Sequence, residues 1–347
     1  MVTMKDIANK LGVAVSTVSK GLNGANDISD DLRQTILDTA VEMGYTPKCM
    51  KKETQKKICI FIENMKYEKP DDFGYDIVLG FRQMALRENW NVTIIPIDAE
   101  FQKNENYDTY MLRNGYSGSL LLGLALHDDW MKQLKTATTP SVLLDNYVSK
   151  NPHVSYIGTD SFEGIDLCVT HLAELGHKTI AMLNGTANSM VTVERIESFY
   201  QSMKQNQLEA DDSLVTYGDF AAGSAKMHVP VFIEKGATAI VCASDAIASD
   251  VMNECERLGY HVPEDISVTG FDDLPFASHL TPPLTTIRQD RLYLGKSSYN
   301  TLMGLIARLP ISKTLMRAEL IRRSTTAPVK PRSVQKTSRM NVIKKEV

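Results

Sequence analysis

The 347-residue sequence carries 38 Lys and Arg against 42 Asp and Glu, a formal net charge of −4, with 43% hydrophobic and 23% charged residues. Such a chain is too long for one compact core and too apolar to be disordered, so two or three domains are expected. It opens without a basic stretch leading into an apolar run, and no window approaches the ~20 apolar residues of a membrane span, which points to a cytoplasmic protein with no membrane partner. Five cysteines (Cys49, Cys59, Cys168, Cys242 and Cys255) lack C-x-x-C or Cys/His spacing, so neither disulfides nor a metal or other cofactor is expected.

Charge is unevenly placed. Residues 1–57 hold nine basic against seven acidic side chains, with five lysines between Lys48 and Lys57, and residues 330–347 hold six basic and one acidic. A basic stripe near one end of an acidic body fits a modular DNA binder, although a lysine cluster alone fits a solvated surface equally well.

In chain order, Thr3 and Asp6 form a capping-box pattern before Ile7, Ala8 and Leu11, and Gly12 ends the run. A second short helix carries Val18 and Leu22 on one face and Ser16, Thr17, Ser19, Lys20 and Asn23 mostly outside it. Ser29 caps a third, with Asp30 and Asp31 in its first turn, Leu32, Ile36, Leu37, Ala40 and Met43 as its apolar stripe, and Gly44 as its stop. A plain three-helix cap would fit. So would a major-groove reader, in which small side chains let the second helix seat deeply while hydroxyls and amides bond phosphates or bases and Lys reaches guanine.

The runs Val2–Ala8, Gly12-Val13, Thr17-Val18-Ser19, Leu22-Asn23-Gly24, Ile28-Ser29 and Gly44-Tyr45-Thr46-Pro47 resemble the head of the lactose-repressor (LacI/GalR) family. The resemblance implies a helix-turn-helix head over 1–46, with Val15, Ser16 and Lys20 at base-reading positions and Thr17, Ser19 and Asn23 at phosphate positions; core packing is the alternative for Val15. Two departures stand out. Ala14 occupies the slot where the family places a capping Ser. In the hinge, 47–57, the family's minor-groove Leu is Thr54. A wedge must be apolar, so only Met50 can substitute for it, while Lys48, Lys51 and Lys52 supply phosphate attraction.

From residue 58 the pattern changes to short strands alternating with helices. The expected strands are Ile58–Ile62, Val92–Ile95, Ser119–Leu122, Ser141–Leu144, Thr179–Leu183, Ala239–Cys242 and Ile266–Val268. The expected helices are Phe73–Trp90, Phe162–Leu175, Val193–Asn206, Asp245–Leu258 and Arg291–Leu309. Alternation of this kind gives an α/β fold of parallel sheets flanked by helices, and its length suits two lobes. Ligands in such sheets bind beyond the carboxyl ends of strands, where Asp145, Asp245 and Asp272 fall; for Asp245 a helix-cap role is equally suited.

The likeness to the family continues through Asp160, Gly164 and His171–Ala181, which match its lobe-crossing segment, and through Gly259–Asp273 and Pro282–Gln289. It thus spans residues 2 to about 328 and implies a two-lobed sensor resembling periplasmic binding proteins, 58–328. Lobe 1 is taken as 58–158 with 289–321, and lobe 2 as 159–288 with 322–328. Arg195, Phe220, Asp272 and Gln289 then look like effector contacts, joined by Asp145 and Asp245 and, from the first lobe, Phe73 and Tyr75. Ser198 stands where the family has a Gly that allows close helix packing. His171 and His177 read as structural. The basic tail, 329–347, has no apolar heptad and reads as disordered.

Together these features describe a repressor that binds a pseudo-palindromic operator as a homodimer, its affinity set by a small effector in the interlobe cleft. The effector is taken first as a sugar or sugar derivative and second as a purine-like corepressor. The alternative is a solute-binding transport protein, which would share the body but not residues 1–46. An enzyme is not expected, since GxxxxGK[ST], GxSxG and GxGxxG are all missing from the sequence.

Overall fold

The computed structural model describes residues 2–25, 27–45, 56–220 and 223–329. The expected hinge residues Lys48, Met50, Lys51, Lys52 and Thr54, and all but the first residue of the tail, lie outside the described residues.

The head is α1 (Met4–Leu11), α2 (Val15–Leu22) and α3 (Asp30–Glu42). Thr3 closes the capping box on α1: its hydroxyl accepts the Asp6 N–H at 3.3 Å and the Asp6 carboxylate accepts the Thr3 N–H at 2.8 Å. Gly12 ends α1 in the left-handed region at φ +67°, where a side chain would be strained. Ser29 caps α3 by accepting the Leu32 N–H. Ile7, Ala8, Val18, Ile36 and Ala40 form the small core on which the three helices meet.

The rest of the chain alternates as read from sequence, with more elements than the pattern disclosed. In order these are β1 (Lys57–Ile62), α4 (Phe73–Arg87), β2 (Asn91–Pro96), α5 (Ala99–Asn104), α6 (Tyr107–Asn114), β3 (Ser119–Leu122), α7 (Asp129–Gln133), β4 (Ser141–Leu144) and β5 (Val154–Thr159). Then come α8 (Ser161–Glu174), β6 (Ile180–Asn184), α9 (Met190–Gln205), β7 (Val215–Tyr217), α10 (Ala225–Glu234), β8 (Ala239–Cys242), α11 (Asp245–Arg257), β9 (Ser267–Asp272) and β10 (Thr285–Arg288). The last are α12 (Arg291–Ile306), β11 (Lys313–Met316) and β12 (Glu319–Ile321). The chain divides into two units, residues 1–158 with 290–316, and 159–289 with 317 onward.

In the first lobe the sheet runs β11-β5-β4-β3-β1-β2. The two-residue period of a strand sorts its side chains to opposite faces. Ile58, Ile60 and Ile62 of β1 meet Ile77 and Phe81 of α4 and Leu294 and Tyr299 of α12, while Cys59 and Phe61 meet Tyr107 of α6 and Trp130 of α7. Helices α4 and α12 cross at glycine: a Cβ on Gly80 would lie 2.1 Å from the Leu292 carbonyl oxygen, and one on Gly295 2.0 Å from that of Ile77.

In the second lobe the order is β12-β10-β9-β8-β6-β7. Leu183, Ile240, Cys242 and Val268 pack with α10 and α11 on one face, and Ile180, Met182, Ala239, Val241 and Phe271 with α8 and α9 on the other. Several expectations need correction. The sheet is not wholly parallel, because β12 pairs antiparallel with β10 through Thr286 and Ile321. That pairing also moves the last crossing: residues from 317 belong to the second lobe, so 317–321 are not part of the first. The first crossing falls at Gly158–Thr159, as the expected lobe bounds had it, but the second falls at Gln289–Asp290, so Gln289 belongs to the second lobe, and His171–Ala181 is not a crossing but the end of α8 and the start of β6.

Candidate functional site

Two sets of side chains are set up for recognition. The first is the face of α2. Val18 and Gly21 point inward, and Gly21 lets α2 approach α3 so closely that a Cβ there would lie 2.7 Å from an Ile36 methyl. Ser16, Lys20 and Asn23 are therefore exposed, and Thr17 and Ser19 half-buried. Val15 is 46% exposed, which removes the core-packing alternative and leaves an apolar side chain at the start of the helix, suited to a thymine methyl. The Asn23 amide donates to Ser19 Oγ at 3.2 Å. Lys20 pairs with Asp27, but both are about half exposed, so freeing the ammonium for DNA costs little. Ala14, in extended conformation at φ −70°, ψ 148°, provides no side-chain hydrogen bond to the start of α2.

The second set lies at the carboxyl ends of the strands of the second lobe. Asp272 ends β9 at φ +122°, and Gln289 Nε2, one residue past β10, donates to its carboxylate at 2.7 Å. Arg195, on α9, lies over the Phe271 ring with its guanidinium carbon 3.8 Å from the centroid, and donates to the Ala243 carbonyl from Nη1. Gly164 allows this stack, since any Cβ on α8 there would strike the Phe271 ring at 2.7 Å. Phe220 lies against Gly185, where even a methyl would overlap its ring. Arg195 Nε, Gln289 Oε1, Thr192 Oγ1 and Asn188 Oδ1 are buried without a partner among the described residues. Unmet buried polar atoms cost about 1–3 kcal/mol each, so a site rich in them is matched to a polar ligand.

Asp245 differs from its sequence reading. Ser244, not Asp245, caps α11 by accepting the Ile247 N–H, and Asp245 is fully buried, accepting from the Leu274 N–H at 2.7 Å and the Thr286 hydroxyl. Burial first, and then neighbouring Asp272, push its carboxyl well above the usual range. Asp245 thus holds the Leu274 backbone and Thr286. Asp273, beside Asp272, is taken up by Arg288 at 2.8 Å and Arg323 at 2.6 Å. Ser198 fits its helix by donating to the Glu194 carbonyl oxygen at 2.6 Å.

Among first-lobe residues, Phe73 and Tyr75 lie in the first turn of α4, Phe73 packed on the sheet core. Buried Arg291 pins this turn through Asp76 at 3.0 Å and the Asp72 carbonyl at 3.3 Å. Asp145 follows β4 at φ +51°. Sequence reasoning passed over Glu63, which follows β1 just as Asp145 follows β4. It is buried, accepts from the Gln102 amide, and its carboxyl is raised to about 8 by burial and by Asp128 and Asp98.

His171 and His177 have structural partners. His177 bonds the Thr238 hydroxyl at 2.9 Å and the Ala327 carbonyl at 3.0 Å, and His171 the Thr326 hydroxyl at 2.9 Å, tying the last described segment to the second lobe. No helix among the described residues is long and apolar enough to cross a membrane.

A helix-turn-helix head with an exposed polar second helix, followed by a two-lobed α/β body with buried polar atoms that lack a partner among the described residues, has the architecture of a DNA-binding regulator with a sensor body. Comparison with known proteins agrees. Residues 3–48 match the model for bacterial regulatory proteins of the lacI family, and residues 169–326 that for the periplasmic binding protein-like domain. The chain is 26% identical over 330 residues to the HTH-type transcriptional repressor PurR of Vibrio atlanticus, covering 94% of this chain and 98% of that protein. It is 28% identical over 327 residues to the PurR repressor of Actinobacillus pleuropneumoniae, covering 92% and 95%. The crystal structure of the lac repressor dimer bound to operator and the anti-inducer ONPF superposes with a TM-score of 0.68 at 26% identity, covering 94% of this chain and 99% of that one. Residues 3–48 thus form a DNA-binding head of the lacI type and residues 169–326 fall in a periplasmic binding protein-like domain, and the relatives that match along nearly the whole chain are transcriptional repressors, not enzymes.

Proposed function

We propose that this repressor binds a pseudo-palindromic operator as a homodimer and that a small polyhydroxyl effector, a sugar or sugar derivative, sets its affinity. One short reading helix covers too few base pairs for specificity, so two heads related by a two-fold axis are required. Val15, Ser16 and Lys20 read bases, and Thr17, Ser19 and Asn23 hold phosphates. The lysines Lys48, Lys51 and Lys52, with Met50, approach the DNA between the half-sites.

The observation that carries the effector reading is the Arg195–Phe271 stack beside Asp272 and Gln289, with Arg195 Nε and Gln289 Oε1 unmet. A fixed guanidinium donor next to a carboxylate and an amide acceptor suits neighbouring hydroxyls, and Phe220 offers an aromatic face for a sugar ring. The effector acts by favouring one sensor conformation over another.

Calorimetric titration of the full-length protein with a panel of neutral sugars and purine bases tests the class. Saturable binding of a sugar that falls at least tenfold in Arg195→Lys is the expected result. Saturable binding of a purine base alone, or no effect of the substitution, would reject it.

A further inference from the structure

Helix α3 has more than one face in use. Its inner face, Ile36 and Ala40, belongs to the head core. Asp31, Asp38 and Glu42, exposed and spaced seven and then four residues apart, form an acidic stripe that phosphate would repel. Within it Glu42 pairs with Lys10 of α1 at 2.9 Å, and Asp38 meets the first lobe. Asp38 Oδ1 accepts the hydroxyl of Thr109, on α6, at 3.1 Å, and Gln34 Nε2 at 3.0 Å. Thr109 is 2% exposed; its N–H donates to the Asn106 cap at 3.0 Å and its hydroxyl to Asp38 of the head. One turn further along α6, Leu112 packs against the apolar core of the head. With α3 seated in this way, Val15, Ser16 and Lys20 remain exposed.

We propose that α6 is a docking shelf for the head, on which α3 seats through the Thr109–Asp38 hydrogen bond and the Leu112 contact, holding the reading helix outward and ready for DNA. A change in the first lobe then reaches α2 through side-chain contacts as well as through the covalent connection. The shelf holds the acidic stripe away from phosphate and spares DNA binding the entropy of ordering the head. This inference rests on the reading of the head as a DNA binder.

The test uses the full-length protein as wild type, Leu112→Glu and Thr109→Val. Leu112→Glu places a carboxylate against the apolar rim and near Asp38; Thr109→Val removes only the hydroxyl at nearly constant volume. Hydrogen exchange of residues 30–42 reports docking, and exchange of β1 and β3 reports the integrity of the lobe. Affinity is measured for a duplex selected by the wild-type protein.

In Leu112→Glu, exchange of α3 is expected to rise at least threefold with β1 and β3 unchanged, and affinity to fall five- to tenfold. Thr109→Val should move both the same way, by two- to threefold in affinity. Unchanged exchange of α3 in both variants would overturn the shelf, and a rise in affinity would overturn its DNA-ready role. If the wild-type protein selects no duplex, the repressor reading fails on its own, while hydrogen exchange still decides whether the head docks.

Discussion

Replacing Ala14 with Ser should repair the start of the recognition helix. Ala14 sits at φ −70°, ψ 148°, and Ser29, which caps α3, at φ −67°, ψ 152°. The backbone is thus already set for a capping side chain, and only the oxygen is missing. A Ser hydroxyl there would accept the N–H of Ser16 or Thr17, and N-caps contribute about 1 kcal/mol, within a range of roughly 0.5–2. If α2 frays when free and orders on DNA, the same ~1 kcal/mol becomes about a fivefold gain in affinity. Ser29→Ala is the internal control and should cost the head a similar amount. Hydrogen exchange of α2 in free protein and titration of a selected duplex at fixed salt measure the two effects. Unchanged exchange of α2 in Ala14→Ser, alongside a clear loss of stability in Ser29→Ala, would refute the reasoning.

Three further outcomes follow from the body. Glu63 keeps a proton that the unfolded chain loses near 4.5, so its stabilisation is full below that pH and drains as pH rises through about 8, at no more than about 1.4 kcal/mol per pH unit. Wild-type stability relative to Glu63→Gln in urea titrations should fall across this window and then level off; a constant difference would show that the carboxyl titrates normally. Burial holds the His177 pKa below 6.5, so its contribution is present above that pH and declines as pH falls through its folded value. His177→Gln should therefore lose part of the acid sensitivity of the second lobe, which near-ultraviolet circular dichroism would detect between pH 7 and 5. Gly80→Ala would gain up to about 1 kcal/mol of helix propensity, but its methyl meets the Leu292 carbonyl, and overpacking typically costs about 1–3 kcal/mol. A lower urea midpoint is expected, and a raised midpoint would mean that α4 and α12 separate easily.

Much of the head was legible because its signals are local. Thr3, Gly12, Ser29 and Gly44 mark helix ends through their own side chains or backbone freedom, and each marks one here. The central strands were legible because apolar runs buried on both faces stand out. Peripheral elements were not. The edge strand β7 is half-exposed, β10 begins with two buried threonines, and α10 contains Pro230, which usually argues against a helix interior. Strand ends pointed to Asp145, Asp245 and Asp272, yet the same rule applied to β1 would have found Glu63. Asp245 was ambiguous because Ser244 and Asp245 are both good caps in sequence. Only the pairing of Asp245 with Leu274 and Thr286, far along the chain, separates them. The last crossing was misplaced for a related reason: β12 is three residues long and takes its identity from pairing with β10.

The central claim is that two heads read one duplex, and in-vitro selection from random duplex DNA by the purified full-length protein at moderate salt tests it most directly. The expected result is a pseudo-palindrome with two half-sites related by a two-fold axis, lost on replacing Lys20 or Ser16. Recovery of unrelated sequences, bound only through salt-sensitive contacts, would contradict it.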